Sequence, residues 1–150
     1  KRHDACLELR SELLQALVMA IDNPRLSIDQ TLSSPYTITT VERAARLWPH
    51  HELCFVVGSD LAAQIPHWKQ SELWLKRCRL GVVPRKGWPL EPEHLEGLRH
   101  LGAQITVLPL EIPETASSSI RKTSKADQIP KPLWPLLLQH NLYGLQDAPS

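Results

Sequence analysis

The sequence predicts an α/β protein with a doubly wound parallel sheet, and three observations support this class. Three short apolar runs, at residues 53–57, 79–83 and 104–108, have the length and composition of buried strands. Segments with apolar residues at helical spacing separate these runs, so strands and helices alternate along the chain. Such crossovers join parallel strands and cover the faces of a sheet with helices.

The first third of the chain is expected to contain two helices and a short strand. Apolar residues recur at helical spacing over residues 6–21 until an Asn-Pro dipeptide ends the pattern. Residues 25–29 alternate polar and apolar side chains, which indicates a short strand. Thr37 can cap a second helix that runs to Trp48.

The remaining elements follow from turn residues and apolar spacing. After the strand at 53–57, a short helix is expected to stop at Pro66 and another to begin near Gln70. Acidic residues are favoured at the positive end of a helix, and Gly commonly follows its last residue. Glu91 and Gly102 therefore predict a helix over 91–101. A proline opens the last predicted helix, over 130–141.

Composition bounds the class of protein. A chain of 150 residues with 42% hydrophobic and 22% charged residues fits one soluble domain, residues 1–150. A net charge of +1 gives no general attraction to nucleic acid or to an anionic membrane, and no apolar run approaches the roughly 20 residues of a membrane span. Cys6, Cys54 and Cys78 lack zinc-type spacing, which favours reduced, buried thiols in a cytoplasmic protein. Oligomeric state stays open.

The strand at 53–57 runs directly into Gly58, Ser59 and Asp60. Ligands of open α/β sheets bind outside the carboxyl ends of the strands, so these three residues are the first candidates for contact with a small molecule. The alternative is an ordinary turn, in which Gly58 supplies backbone freedom and Asp60 caps the next helix. Their spacing alone does not decide between the two.

Two further clusters could take part in a site. Hydroxyls at residues 117–119 with Arg121 resemble an anion cradle at a helix start, although a serine-rich cap is an equally ordinary explanation. Trp68 follows Pro66 and could stack on a flat ring, or it could be a core residue, and Tyr36 and Thr37 stand at another place where loops should meet. We expect the other four tryptophans to lie in the core: Trp48, Trp74, Trp88 and Trp134. No catalytic triad and no Walker-type phosphate loop is found.

These clusters together resemble the nicotinate-nucleotide adenylyltransferases of NAD synthesis, in the nucleotidylyltransferase superfamily. Gly58 and Asp60, with Trp68 eight residues later, are similar to the family's Gly-x-Asp and Trp element. Residues 35–40, Pro-Tyr-Thr-Ile-Thr-Thr, are similar to its Ser-Tyr-Thr-x-Asp-Thr, and residues 115–121 to its Ile-Ser-Ser-Thr-x-Ile-Arg. Leu-Tyr at 142–143, Lys1 and Arg10 also match.

The resemblance implies a Rossmann-like fold and a role for each matched residue. It places the nicotinate mononucleotide against one set of side chains: Tyr36, Thr37, Trp68 and Arg85. It places ATP on a second set, with Mg²⁺ carried by ATP and no protein residue assigned to a metal: Gly58, Asp60, Ser117, Ser118 and Arg121. Lys1 and Arg121 would face the phosphates and take the catalytic role. Ala116 and Thr39 depart from the family pattern.

The implied reaction is attack of the nicotinate mononucleotide phosphate on the α-phosphorus of ATP, which yields deamido-NAD and pyrophosphate. The family's first strand and its Gly-x-Phe-Asp-Pro-x-His-x-Gly-His element have no match in the sequence. We therefore expect the chain to be the C-terminal two-thirds of the domain, lacking its first strands, and to need N-terminal extension for turnover. Two alternatives stay open, a non-catalytic nucleotide-binding remnant and an enzyme that uses nicotinamide mononucleotide.

Overall fold

The computed structural model describes residues 5–110, 112, 129–142 and 145. The chain divides into two compact units, a larger one, Asp29–Glu114, and a smaller one formed by Lys1–Ile28 with Thr115–Ser150. That the whole chain forms one domain stays a prediction.

Six α-helices and three strands lie in the described residues. The helices are α1 (Leu7–Ile21), α2 (Thr37–Leu47), α3 (Ser59–Ala62), α4 (Ser71–Trp74), α5 (Pro92–His100) and α6 (Trp134–Gln139). The strands are β1 (Cys54–Gly58), β2 (Arg79–Val83) and β3 (Gln104–Val107). Short 3₁₀ helices lie at Gln30–Leu32, Ile65–His67 and Lys131–Leu133.

The larger unit contains a parallel sheet with the strand order β1-β2-β3. Cys54 lies beside Arg79, and Arg79 beside Gln104, so the three strands begin at the same level. The chain passes through helices between consecutive strands, as parallel pairing requires. The predicted α/β class with a parallel sheet is confirmed.

One face of this sheet carries the core of the larger unit. Leu80 and Val82 of β2 are fully buried, and they belong to a cluster with Phe55 and Val57 of β1. The helices and the segments that flank them contribute most of the remaining buried side chains: Ile38, Val41, Ile65, Trp74, Leu75 and Leu98. Burial of these apolar groups is the main source of stability for the unit.

Strand β1 is buried on one face only. Val57 is buried, whereas Cys54 is exposed and the Val56 side chain is 53% exposed. Side chains alternate between the two faces of a strand, and β1 is at one end of the described strand order. The prediction that this run forms a strand buried on both faces is therefore wrong.

Residues 25–29 form no strand in the structure. Asp29 accepts hydrogen bonds from the backbone N–H and the hydroxyl of Thr31, at 2.9 and 2.6 Å, and these bonds turn the chain into the helix Gln30–Leu32. The same bonds, the hydroxyl first, lower the pKa of Asp29. The hydrogen bonds to the Asp29 side chain thus stabilise a turn where strand pairing was predicted. Asp side chains commonly form such local bonds with the backbone.

The predicted burial of cysteines and tryptophans holds in part. Cys78 is buried, and its desolvation raises the pKa of its thiol to about 11, but Cys6 and Cys54 are exposed free thiols. Trp74 and Trp134 are core residues as expected. Trp48 and Trp88 are 39% and 51% exposed, so their assignment to the core was wrong. Each of these two lies outside the regular elements, where the chain leaves the core.

In the smaller unit, α1 and α6 share a cluster of apolar side chains. Leu9 is the buried residue of α1, and Trp134 and Leu137 are the buried residues of α6. The predicted helix at the start of the chain is confirmed, but several of its apolar residues are exposed: Leu7, Leu14, Met19 and Ile21. Within the described part of the chain, no helix has both the length and the apolar character to cross a membrane.

Two glycines give opposite predictions for stability. A Cβ on Gly97, within α5, would meet nothing within 4 Å, so Gly97→Ala should raise the free energy of unfolding by about 0.5–1 kcal/mol. Gly102 has a φ of 91°, and a Cβ there would lie 3.0 Å from the Lys76 side chain. Gly102→Ala should therefore lower the free energy by about 1 kcal/mol or more. Urea denaturation of both variants measures the difference; equal effects would contradict it.

Candidate functional site

The carboxyl end of β1 passes into α3 without a connecting loop, because Gly58 is the last strand residue and Ser59 the first helical one. Gly58 has an ordinary extended backbone, with φ −75°. A Cβ at this position would lie 2.4 Å from Oδ1 of Asp60. Gly58 thus provides the space in which the Asp60 carboxylate lies against the strand end, and the alternative in which it supplies backbone freedom does not hold.

Asp60 forms an ion pair with Arg85, which follows the neighbouring strand β2. Nη1 of Arg85 lies 2.7 Å from Oδ2 of Asp60, and the two side chains are only 18% and 22% exposed. Both residues were predicted for the site, Arg85 for the mononucleotide and Asp60 for ATP. Because β1 and β2 are adjacent and parallel, their carboxyl ends bring the two together.

Ser59 fixes the turn that carries Arg85. Its hydroxyl accepts the backbone N–H of Arg85 at 2.9 Å and donates to the carbonyl oxygen of Trp88 at 2.7 Å. Ser59 is buried, so both bonds are partly shielded from water. From the sequence, Ser59 was predicted only as a candidate for ligand contact, because the turn beside it is evident only in the folded structure.

A second group of predicted residues lines one cavity of about 280 Å³. We call this cavity the Tyr–Trp pocket, and its walls are formed by five residues: Pro35, Tyr36, Thr37, Trp68 and Lys69. Tyr36 and Thr37 stand at the start of α2, and Trp68 follows the helix Ile65–His67. Residues that are far apart in sequence therefore line one pocket, as the resemblance implied.

Trp68 belongs both to the pocket and to the edge of the core. Its ring centroid lies 6.1 Å from that of Trp74, with an angle of 31° between the rings. Its backbone N–H donates to the carbonyl oxygen of Ile65 at 2.9 Å, which fixes where the side chain begins. One side of the indole is thus supported by the core, as the core alternative expects, and the stacking of a ligand ring on Trp68 stays a prediction.

Lys69 is a pocket residue that no sequence motif indicated. Its Nζ lies 4.4 Å from the centroid of the Tyr36 ring, within cation–π distance. In the sequence, the only indication of this role is that Lys69 directly follows Trp68. Adjacency is weak evidence, because the side chains of neighbouring residues often point in different directions. The contact across the pocket to Tyr36 needs the tertiary structure.

The start of α2 adds polar groups to the same pocket. No side chain caps this 11-residue helix, and its N-cap is Tyr36, whose own N–H is bonded to the Ser34 hydroxyl at 3.1 Å. The backbone N–H groups of a first helical turn carry partial positive charge. The predicted cap at Thr37 is therefore wrong by one residue, and the helix leaves its first amides without a side-chain acceptor.

The predicted phosphate-binding residues lie outside the described residues. These are Lys1, Ser117, Ser118 and Arg121. Their placement at the site stays a prediction. Among the described residues, the structure pairs Asp60 with Arg85 and, separately, places Tyr36, Thr37 and Trp68 around the Tyr–Trp pocket.

A larger cavity, of about 570 Å³, lies along α5 and contains none of the predicted site residues. It is lined by Leu90, Pro92, Leu95, Glu96, Arg99 and His100. This cavity lies along α5, whereas the Tyr–Trp pocket is lined by three residues predicted for the site: Tyr36, Thr37 and Trp68. We therefore assign the site to the Tyr–Trp pocket in spite of its smaller volume.

Substitution of Gly58 tests the geometry at the strand end. The added methyl group of Gly58→Ala would displace the Asp60 carboxylate from Arg85. We expect the free energy of unfolding to fall by about 1–3 kcal/mol, mainly through loss of this pair. In an Asp60→Ala background the same substitution should cost less than half as much, and an undiminished cost would contradict the proposed clash.

The sequence and structure were compared with known proteins. No family model matches the chain. A curated protein of Thermus thermophilus, "Probable nicotinate-nucleotide adenylyltransferase", is 31% identical over 147 residues, which cover 91% of this chain and 73% of the relative. A protein of the same name from Mycobacterium tuberculosis is 33% identical over 128 residues. The match covers 83% of this chain and 59% of the length of that relative.

Solved structures agree on the fold. The nicotinic acid mononucleotide adenylyltransferase of Plasmodium falciparum, complexed with APC, superposes with a TM-score of 0.65 over 93% of this chain and 77% of its own, at 16% identity. The same protein complexed with NaAD gives a TM-score of 0.66 over 97% and 79%. Together with the strand order and the identity to the Thermus protein, this places the chain in the nicotinate-nucleotide adenylyltransferase family.

Proposed function

We propose that the protein transfers the adenylyl group of ATP to nicotinate mononucleotide, in the cytoplasm, giving deamido-NAD and pyrophosphate. The Tyr–Trp pocket is the observation that carries this proposal. It combines two aromatic rings, a hydroxyl and a cation in about 280 Å³, a volume that suits one planar ring bearing a small substituent. Curated relatives of the protein are named for the same reaction.

In this proposal the pyridine ring of the mononucleotide stacks in the Tyr–Trp pocket. Trp68 is held from behind by Trp74, so its free face needs little reorganisation to receive a ring. Stacking of a heteroaromatic base on a side chain is worth about 1–3 kcal/mol. Asp60, at the end of β1, would accept hydrogen bonds from the ATP ribose, and its pairing with Arg85 fixes the carboxylate in place.

The proposed chemistry needs no covalent intermediate with the protein. A phosphate oxygen of the mononucleotide attacks the α-phosphorus of ATP, and the bond from that phosphorus to the oxygen of the β-phosphate breaks. Pyrophosphate leaves with that oxygen. Such a transfer depends on alignment of two anions and on neutralisation of charge, which we assign to Lys1, Ser117, Ser118 and Arg121.

Mg²⁺ is proposed to arrive with ATP, bound to its phosphates, and to neutralise part of their charge. Within the described ranges, no three His, Cys, Asp or Glu side chains are grouped so as to hold an ion. The carboxylate at the strand end, Asp60, is already paired with Arg85. We therefore assign no step to a metal held by the described residues.

A turnover assay tests the proposed function. The complete open reading frame that encodes residues 1–150 is expressed, and the product is incubated with ATP, Mg²⁺ and nicotinate mononucleotide. We expect deamido-NAD and pyrophosphate in equal amounts, resolved by chromatography. The same assay on residues 1–150 alone should give no product, because the His-containing element that the family uses is not in that sequence. Binding of both substrates without turnover by the product of that reading frame would instead favour the non-catalytic alternative.

A further inference from the structure

We propose that Lys69 is a specificity-determining residue, whose ammonium group selects a mononucleotide with a ring carboxylate over one with a ring amide. This inference rests on the proposed function, since it concerns the acceptor in the same pocket. It adds a role for a residue that no sequence motif indicated.

The position of Lys69 is set by its neighbours in the pocket. It directly follows Trp68, whose backbone is fixed by a hydrogen bond to Ile65, and its Nζ lies over the ring of Tyr36 at 4.4 Å. The ammonium therefore lies over one of the two aromatic rings that line the pocket. A substituent on a planar ring held in the pocket would come within reach of Nζ.

The charge of Lys69 has no carboxylate partner among the described residues. The three ion pairs found there involve other cations, namely Arg77, Arg79 and Arg85. The contact with Tyr36 is a cation–π interaction, which is weak at an exposed site. A charge-assisted hydrogen bond to a carboxylate is stronger, so a ligand carboxylate could take over the ammonium from the ring.

An amide substituent gains less from the same ammonium. Its carbonyl oxygen can accept a hydrogen bond, but it carries no net charge to neutralise Lys69. The difference between the two ligands should therefore depend on the charge of residue 69 and not on its length. A merely structural role would change the binding of both ligands equally.

Calorimetric titration of nicotinate mononucleotide and of nicotinamide mononucleotide tests this proposal. Wild-type protein is compared with Lys69→Met, which keeps most of the length of the side chain, and with Lys69→Arg, which keeps the charge. Lys76→Met removes another exposed ammonium of the larger unit, outside the pocket, and is the matched control. We expect Lys69→Met to raise the Kd of the carboxylate ligand about tenfold and to leave that of the amide ligand within about twofold. Lys69→Arg should restore most of the preference, and Lys76→Met should not alter it.

The outcomes separate this inference from the proposed function. An unchanged ratio of the two Kd values in Lys69→Met overturns it, as does equal weakening of both ligands or binding of neither by the wild-type protein. If Lys69→Met lowers the Kd of the amide ligand relative to that of the carboxylate ligand while the turnover assay gives no deamido-NAD, Lys69 recognises the carboxylate and the proposed reaction is wrong. If turnover occurs and the ratio is unaffected, the reaction is right and the role of Lys69 is wrong.

Discussion

Replacement of Trp68 by Ala is expected to raise the Kd for nicotinate mononucleotide about tenfold or more, and the KM of the active enzyme in parallel. The indole forms one wall of the Tyr–Trp pocket, and its loss removes a stacking surface worth about 1–3 kcal/mol. The affinity for ATP should change less than about threefold, because adenosine is assigned to Gly58 and Asp60. Calorimetry with each substrate measures both effects.

Two variants distinguish stacking from support of the fold. Trp68→Phe keeps a flat ring and should recover most of the affinity, although Trp68 also packs on Trp74. Trp48→Ala removes an exposed indole that does not line the pocket and should leave both affinities unchanged. If Trp68→Ala lowers stability and leaves the Kd of the mononucleotide unaltered, Trp68 is a core residue only.

Removal of the charge of Arg85 should destabilise the larger unit. In Arg85→Met, the Asp60 carboxylate loses a partner at 2.7 Å in a site where both side chains are mostly buried. The expected loss in free energy of unfolding is about 1–3 kcal/mol, more than exposed ion pairs contribute. Asp60→Asn in the Arg85→Met background should recover much of this loss, because the side chain is then no longer charged.

The pair of Arg77 with Glu42 is the matched control for this cycle. Its Nη1–Oε1 distance is 3.0 Å, but both side chains are more exposed than Arg85 and Asp60. Arg77→Met should therefore cost less than about 1 kcal/mol. Urea denaturation at neutral pH gives the free energy of each variant, and equal losses in Arg77→Met and Arg85→Met would show that burial does not strengthen the Asp60–Arg85 pair.

The sequence predicted the elements whose signal is local. The apolar runs at β1, β2 and β3 and the helices between them are marked by composition and by the residues that end them, and the structure has them in the expected order. Parallel pairing follows from that order. The convergence of Tyr36 and Trp68 was reached through motif resemblance, since spacing alone left Trp68 open between core and site.

What the sequence missed depends on contacts between distant residues. Residues 25–29 have the alternation of a strand, but a strand exists only when a neighbour pairs with it, and Asp29 bonds Thr31 instead. The exposure of Cys54 and Trp88 could not be deduced, because it depends on what packs against each face. Lys69 lacks any pattern of its own and gains its importance from the ring of Tyr36, which is distant in sequence.

The central claim is that the Tyr–Trp pocket holds the pyridine ring of the mononucleotide. Intermolecular NOEs between the ring protons of nicotinate mononucleotide and protein with labelled aromatic side chains test it most directly. We predict contacts to the indole of Trp68 and the ring of Tyr36, lost in Trp68→Ala, and none to Trp48 or Trp88. Contacts confined to other aromatic residues, or contacts that persist in Trp68→Ala, would contradict the claim.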